Sequence, residues 1–202
     1  PVVGIYDSNG GGLNEGGDML AAYGEVLRYA NNLSGVVPQI SLVLGPCTGT
    51  SAMIAAGTDV VVMSDKGELT VATNGEGGSP REAGALGVCQ IAAKNEAEAV
   101  EAVKKLISAL PSNNLSVPPA FDAAESVGPE LSADSSAREA ISSVCDAGDF
   151  LELGALFGSS ACTALGRMGG TVTGLIALYG VIDADSCSKA ARFLRFCDSF
   201  SL

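Results

Sequence analysis

Residues 40–51 read ISLVLGPCTGTS. The run 40–44 is apolar apart from one serine, the pattern of a strand buried on both faces. Gly45-Pro46 interrupts it, and this pair predicts the end of the strand. Small residues follow, Cys47, Thr48, Gly49, Thr50 and Ser51, before Ala52-Met53-Ile54-Ala55-Ala56 opens a helix. A strand, a small-residue turn and a helix start together make a device for holding an anion. The first N–H groups of a helix have no partner inside it, and the helix dipole puts partial positive charge at the same end. An enolate oxygen is the kind of charge such a turn would stabilise. A plain strand-to-helix turn, small for packing, fits these residues at least as well.

Composition narrows what the turn can belong to. Of the 202 residues, 47% are apolar and 17% charged, 26 are glycine, and there is no tryptophan. That allows a large core and suits closely packed α/β layers rather than an aromatic-rich binding surface. The formal net charge is −12, and no Lys/Arg cluster stands against it. Nucleic acid and anionic membrane are therefore poor partners. Histidine is absent, which excludes the Ser-His-Asp triad, Cys-His pairs and His-ligated zinc. Any catalysis falls to backbone dipoles, carboxylates, lysine, tyrosine or thiols. The cysteines at 47, 89, 145, 162, 187 and 197 show neither a CxxC pair nor a zinc spacing. They predict buried free thiols in a reducing cytoplasm and no metal site. No apolar stretch is long enough to span a membrane, and no signal peptide is visible.

Upstream of the opening stretch, residues 1–6 (PVVGIY) predict another buried strand. The loop around Gly10, Gly11 and Gly12 permits close backbone approach by another group. A helix is expected over 19–31 and the central strand over 36–44. Downstream, strands are expected at 59–63, 68–72 and 87–92, with a polar, glycine-rich loop at 74–79. The stripe Ala99, Val100, Val103, Leu106, Ile107 and Leu110 predicts a helix over 96–110, with Glu101 and Lys105 as an i,i+4 pair. Pro111, Pro118, Pro119 and Pro129 mark residues 111–136 as a linker. Beyond it come a helix at 137–145, strands at 150–157 and 161–167, and a hairpin turn at Gly169-Gly170 leading into a strand at 171–179. A last helix over 189–200 should be capped by Asp185, Ser186 or Ser188, bury Ala190, Phe193, Leu194 and Cys197, and show a basic face of Lys189, Arg192 and Arg195. The order is that of an α/β protein with mixed sheets.

Several long segments carry a resemblance: PVVGIYDSNGGGLNEG at 1–16, AYGEVLRYANNLSGVVPQISLVLGPCTGT at 22–50, TDVVVM at 58–63, LPSNNLSVPPAF at 110–121 and SKAARFLRFCDSF at 188–200. The chain resembles the carboxyltransferase subunits of biotin-dependent acyl-CoA carboxylases, of the propionyl-CoA carboxylase β-subunit type. It is similar also to the α-subunits of methylmalonyl-CoA and glutaconyl-CoA decarboxylases. The resemblance implies a ClpP/crotonase-like fold of repeated ββα units. It makes residues 1–110 the latter part of an N-terminal crotonase-like domain, 111–136 the interdomain linker and 137–202 the first part of a C-terminal one. Residues 137–202 followed by 1–110 would also approximate one domain in permuted order, but the middle of a two-domain chain is the simpler expectation.

The implied activity is carboxyl transfer between carboxybiotin, on a separate carrier protein, and a short-chain acyl-CoA. It needs no protein base, which suits a chain without histidine. By resemblance Gly49 and Thr50 are the catalytic pair, their N–H groups holding the thioester oxygen, with Thr50 where the family keeps a glycine. Gly10, Gly11, Gly12, Gly45, Cys47 and Thr48 would line the acyl-CoA. Lys66, Arg81 and Lys94 are candidates for the CoA phosphates, and the family's Gly-Gly-Ala-Arg loop is represented without its arginine. Implied partners are a biotin carboxyl carrier protein, a biotin carboxylase or decarboxylase partner subunits, and further copies of the chain in a hexamer. Two rivals remain: a degenerate crotonase-like subunit that binds CoA or supports a complex without turnover, and a free-standing hydrolase or decarboxylase, which would need a carboxylate placed beside the turn.

Overall fold

The computed structural model describes residues 1–71, 78–126, 128–132 and 134–202, with Leu13 described by its backbone alone. Residues 74–77 of the expected polar loop, and Ala72 at the end of the expected strand 68–72, lie outside the described residues. The chain divides into two compact units, Pro1–Lys104 and Lys105–Leu202.

The first unit is built on β2 (Gln39–Thr48), whose pairings are all parallel. β1 (Val2–Ser8) lies along one edge; β3 (Val60–Met63) and β4 (Glu68–Thr70) follow one another along the other. β5 (Ile91–Ala92) pairs beyond β3. Parallel neighbours need long crossovers, supplied here by α1 (Gly16–Leu33) and α2 (Thr50–Ala56). Ile40, Val43, Val60, Val61, Val62 and Met63 are each no more than 1% exposed, as strands apolar on both faces require.

The strand does not stop at Gly45-Pro46 as the sequence predicts. Its ladder to β3 ends at Val43↔Met63, and its ladder to β4 begins at Pro46↔Glu68. Proline, lacking an N–H, falls where the strand changes partner. The register with β1 shifts there too, from Tyr6↔Val43 to Ser8↔Cys47. Ser64 closes the gap: its N–H donates to the Val43 carbonyl at 2.9 Å and its hydroxyl to the Leu44 carbonyl at 2.8 Å.

Other expectations need correction. β1, expected to be buried, is an edge strand with Ile5 67% exposed, and α1 buries no residue fully. The strand expected at 87–92 shrinks to β5, and α3 (Pro80–Ala85) precedes it. Its signal was present in Ser79-Pro80-Arg81-Glu82. The Ser79 hydroxyl accepts from the Glu82 N–H, the Glu82 carboxylate accepts from the Ser79 N–H, and proline takes the first helical position. Helix α4 (Glu96–Ala109) forms as its stripe predicts, but Glu101 pairs with Lys104, at 2.6 Å, rather than with Lys105.

In the second unit β6 (Phe150–Leu153), β7 (Ala161–Met168) and β8 (Thr171–Leu178) form an antiparallel sheet. α5 (Ala137–Val144) covers one face, packing Ile141 with Cys145 against Cys162, Ala164 and Leu175. α6 (Ala184–Ser199) lies on the other, where Gly174 leaves room for Phe193 and Cys197. The hairpin turn falls at Gly169-Gly170 as predicted, with φ of 59° and 80°. β6 ends short of residue 157 because Gly154, at φ 72°, turns the chain away. α6 starts earlier than expected. Its cap is Asp183, whose carboxylate accepts from the Ser186 N–H at 2.7 Å. Leu194 faces solvent while Phe196 and Phe200 are buried, and Lys189, expected on a basic surface, is only 7% exposed. Five cysteines are buried free thiols, but Cys187 is exposed.

Candidate functional site

At its C-terminal end β2 runs into a single residue, Gly49 (φ 64°, ψ −132°), and then directly into α2. This backbone suits glycine, and nothing lies within 4 Å on the side where a Cβ would stand. The Gly49 carbonyl accepts from the Ala52 and Met53 N–H groups at 3.1 and 3.3 Å. Its own N–H donates to the Thr70 carbonyl at 2.8 Å, extending the ladder to β4. That donor is taken, so Gly49 does not present the N–H assigned to it. Among the described residues the N–H groups of Thr50 and Ser51 meet no acceptor, as the first residues of a helix would. Thr50 is the first residue of α2, where helical backbone suits any L-residue. Its departure from glycine therefore leaves the donor in place.

The glycine loop comes to this turn. The β1 register carries Ser8 beside Cys47, and a Cβ on Gly10 would stand 3.2 Å from the Thr48 hydroxyl. A Cβ on Gly11 would press on Met19, at 2.8 Å, and on Tyr23, at 3.2 Å. The Tyr23 and Ser51 hydroxyls are hydrogen-bonded at 2.9 Å. The loop thus passes between the end of β2 and α1, with Gly10, Gly11, Thr48, Thr50 and Ser51 on one feature. Gly12 faces outward towards Glu15. Gly45 sits below, its missing side chain replaced by the Asp7 carboxylate.

The Cys47 side chain is not part of the opening. It is 0% exposed in a core with Val43, Ala52, Ala55, Val61, Met63, Ala83 and Cys89. Burial pushes its thiol up to about 11, so it is protonated and inert near neutrality. Tyr6 packs on the same core, its phenol raised by burial. Lys66 is held by Glu96 at 3.0 Å. Sequence reasoning singled out neither Ser51 as a donor nor Tyr23 as its partner. The i,i+4 spacing of Met19 and Tyr23 is the signal that both face one neighbour.

A carboxyl transferase domain family model matches residues 1–202, the whole chain. The chain belongs to the carboxyl transferase domain family. Within that family it is 37% identical over 241 aligned residues to the propionyl-CoA carboxylase beta chain of Saccharopolyspora erythraea, covering all of this chain and 44% of that one. It is 31% identical to the methylmalonyl-CoA decarboxylase subunit alpha of Veillonella parvula, covering 46% of that subunit. The solved transcarboxylase 12S hexamer with hydrolysed methylmalonyl-coenzyme A superposes with a TM-score of 0.91 at 30% identity, over 99% of this chain and 45% of that one. The fold is accordingly crotonase-like, and the chain spans less than half the length of these relatives. Among the described residues, no helix is long and apolar enough to cross a membrane.

Proposed function

We propose that this chain forms the acyl-CoA side of a biotin-dependent carboxyltransferase acting on a short-chain acyl-CoA. The observation that carries the reading is the pair of N–H groups on Thr50 and Ser51. Among the described residues they stand without acceptors beneath the glycine loop, in a fold shared with a transcarboxylase solved with hydrolysed methylmalonyl-coenzyme A. In this reading the turn holds the thioester oxygen as negative charge develops on it, with Gly49 leaving the approach open and the Gly10–Gly11 backbone lying along the substrate. Donors fixed in place before reaction need no reorganisation to stabilise that charge. Biotin, carried on a separate protein, supplies the carboxyl group, and no residue of this chain is assigned to it. We assign residues 1–110 to an N-terminal crotonase-like domain, 111–136 to a linker and 137–202 to a C-terminal one. The protein works in the cytoplasm as a homo-oligomer with a biotin carrier protein and a carboxylase or decarboxylase partner.

One observation favours a second reading, a crotonase-like subunit that binds CoA without turnover: the Gly49 N–H is already engaged by Thr70. Exchange of labelled carboxyl between carboxybiotin on its carrier and short acyl-CoAs separates the two. Exchange supports the transferase. Retained acyl-CoA binding with no exchange supports the second reading.

A further inference from the structure

A second polar feature lies in the other unit, independent of the acyl-CoA reading. A cavity of about 240 Å³ opens where the start of α5, strands β6 and β7 and the first turns of α6 meet. Lys189 reaches into it from α6. Its stem passes over Gly154, where a Cβ would lie 3.3 Å from the Lys189 Cε, and the side chain is nine-tenths buried. An ammonium carries three donors. Among the described residues this one has a single acceptor, the Ala161 carbonyl, at 2.5 Å.

Among the described residues no carboxylate is within salt-bridge distance of it. The acid that lines the cavity, Glu152, is taken by Arg138 in a two-point pair, Nε to Oε2 at 2.6 Å and Nη2 to Oε1 at 2.9 Å. The Cys162 thiol, pushed by burial up to about 11, is neutral near pH 7. The Tyr179 hydroxyl donates to the Ser159 carbonyl. Two cationic groups therefore face one carboxylate in a chain whose formal net charge is −12; burial pushes the Lys189 ammonium below its usual range, with Glu152 opposing, so its charge lacks a full partner. A buried charge is tolerated when it is paired and its donors are satisfied. Water would satisfy the donors without balancing the charge. A single negative charge spread over two or more acceptor oxygens does both, and the cavity has room for one.

We propose that this cavity is a binding site for one small carboxylate-type monoanion, held by the Lys189 ammonium with the Arg138 guanidinium beside it. The test titrates ¹³C-acetate and ¹³C-hydrogencarbonate into the full-length protein by NMR, with chloride holding ionic strength constant. One saturable site per chain is expected for at least one of the two anions, and the anion that binds identifies the class. Lys189→Met should weaken it more than ~10-fold, as loss of a buried charge partner does. Should that variant fail to fold, Glu152→Gln decides: it frees Arg138 and should tighten binding several-fold. The absence of a saturable site in the wild-type protein below ~100 mM overturns the proposal, as does an affinity that none of the folded variants changes.

Discussion

Two glycine turns, one in each unit, use the same backbone freedom to opposite ends. At Gly169-Gly170 both residues have positive φ, and both N–H groups are claimed by one carboxylate. Asp146 accepts from Gly169 at 2.8 Å and from Gly170 at 2.6 Å. At Gly49 positive φ delivers the chain into α2, and the N–H groups that follow are left facing no described acceptor. The sheets explain the difference. An antiparallel pair is joined by a turn that one side chain can satisfy. A parallel strand must leave its sheet for a crossover helix, and a helix start always leaves donors over. A glycine turn becomes a candidate site when the fold withholds the acceptor, and a structural joint when the fold supplies it.

Five substitutions at four positions test that contrast. The largest effect on activity is expected from Thr50→Pro. Proline is well tolerated at the first helical position, so the change removes one donor and keeps α2. Carboxyl exchange should fall by ~10²–10³-fold, about 3–4 kcal/mol of transition-state stabilisation, with little change in unfolding midpoint. Unchanged exchange would remove the turn from the reaction.

The counterpart is Asp146→Ala, expected to be the most destabilising change of the set and to leave acyl-CoA affinity intact. Amide exchange at Gly169 and Gly170 should accelerate. Asp146 also gives a signature in acid. The Gly170 N–H foremost, with those of Gly169 and Ala124, holds its carboxyl below the usual range against the opposing effect of burial. Its contribution is therefore full above the unfolded pKa of about 4 and is lost as pH falls through the lower folded value. Asp146→Asn should flatten that acid limb, and an unaltered limb would show that the carboxylate does not secure the turn.

Gly45→Ala places a methyl group against the Asp7 carboxylate. A loss of about 1–3 kcal/mol in urea unfolding is expected, the usual cost of overpacking. Tyr23→Phe breaks the bond to Ser51 and should cost about 0.5–1.5 kcal/mol. Because Ser51 offers one of the donors that meet the developing charge, kcat should fall more than KM for acyl-CoA rises. An equal effect on both units of the molecule from either change would dissolve the distinction between site and joint.

Much of this was legible in residue patterns. The apolar runs marked β2 and β3, the stripe on α4 marked that helix, and Gly169-Gly170 marked the hairpin. These are local signals, carried by neighbours in sequence. Ser79-Pro80-Arg81-Glu82 was legible too and was passed over. Gly45-Pro46 misled because proline usually ends a strand. It survives here since β2 changes partners at that point, and pairing partners are not encoded locally. β1 misled for the related reason that apolar residues state what an element can bury, not whether a neighbour covers it.

The sequence by itself determined that this chain brings no histidine to a site, where the strands and most helices lie, and that it holds a glycine-rich loop and a small-residue turn. Only the tertiary structure decided which donors are free. Thr70 takes the Gly49 N–H, Asp146 closes the hairpin, and Lys189 is drawn inward with one acceptor. Each depends on groups more than twenty residues apart in the chain, and a hydrogen bond is settled by distance in space.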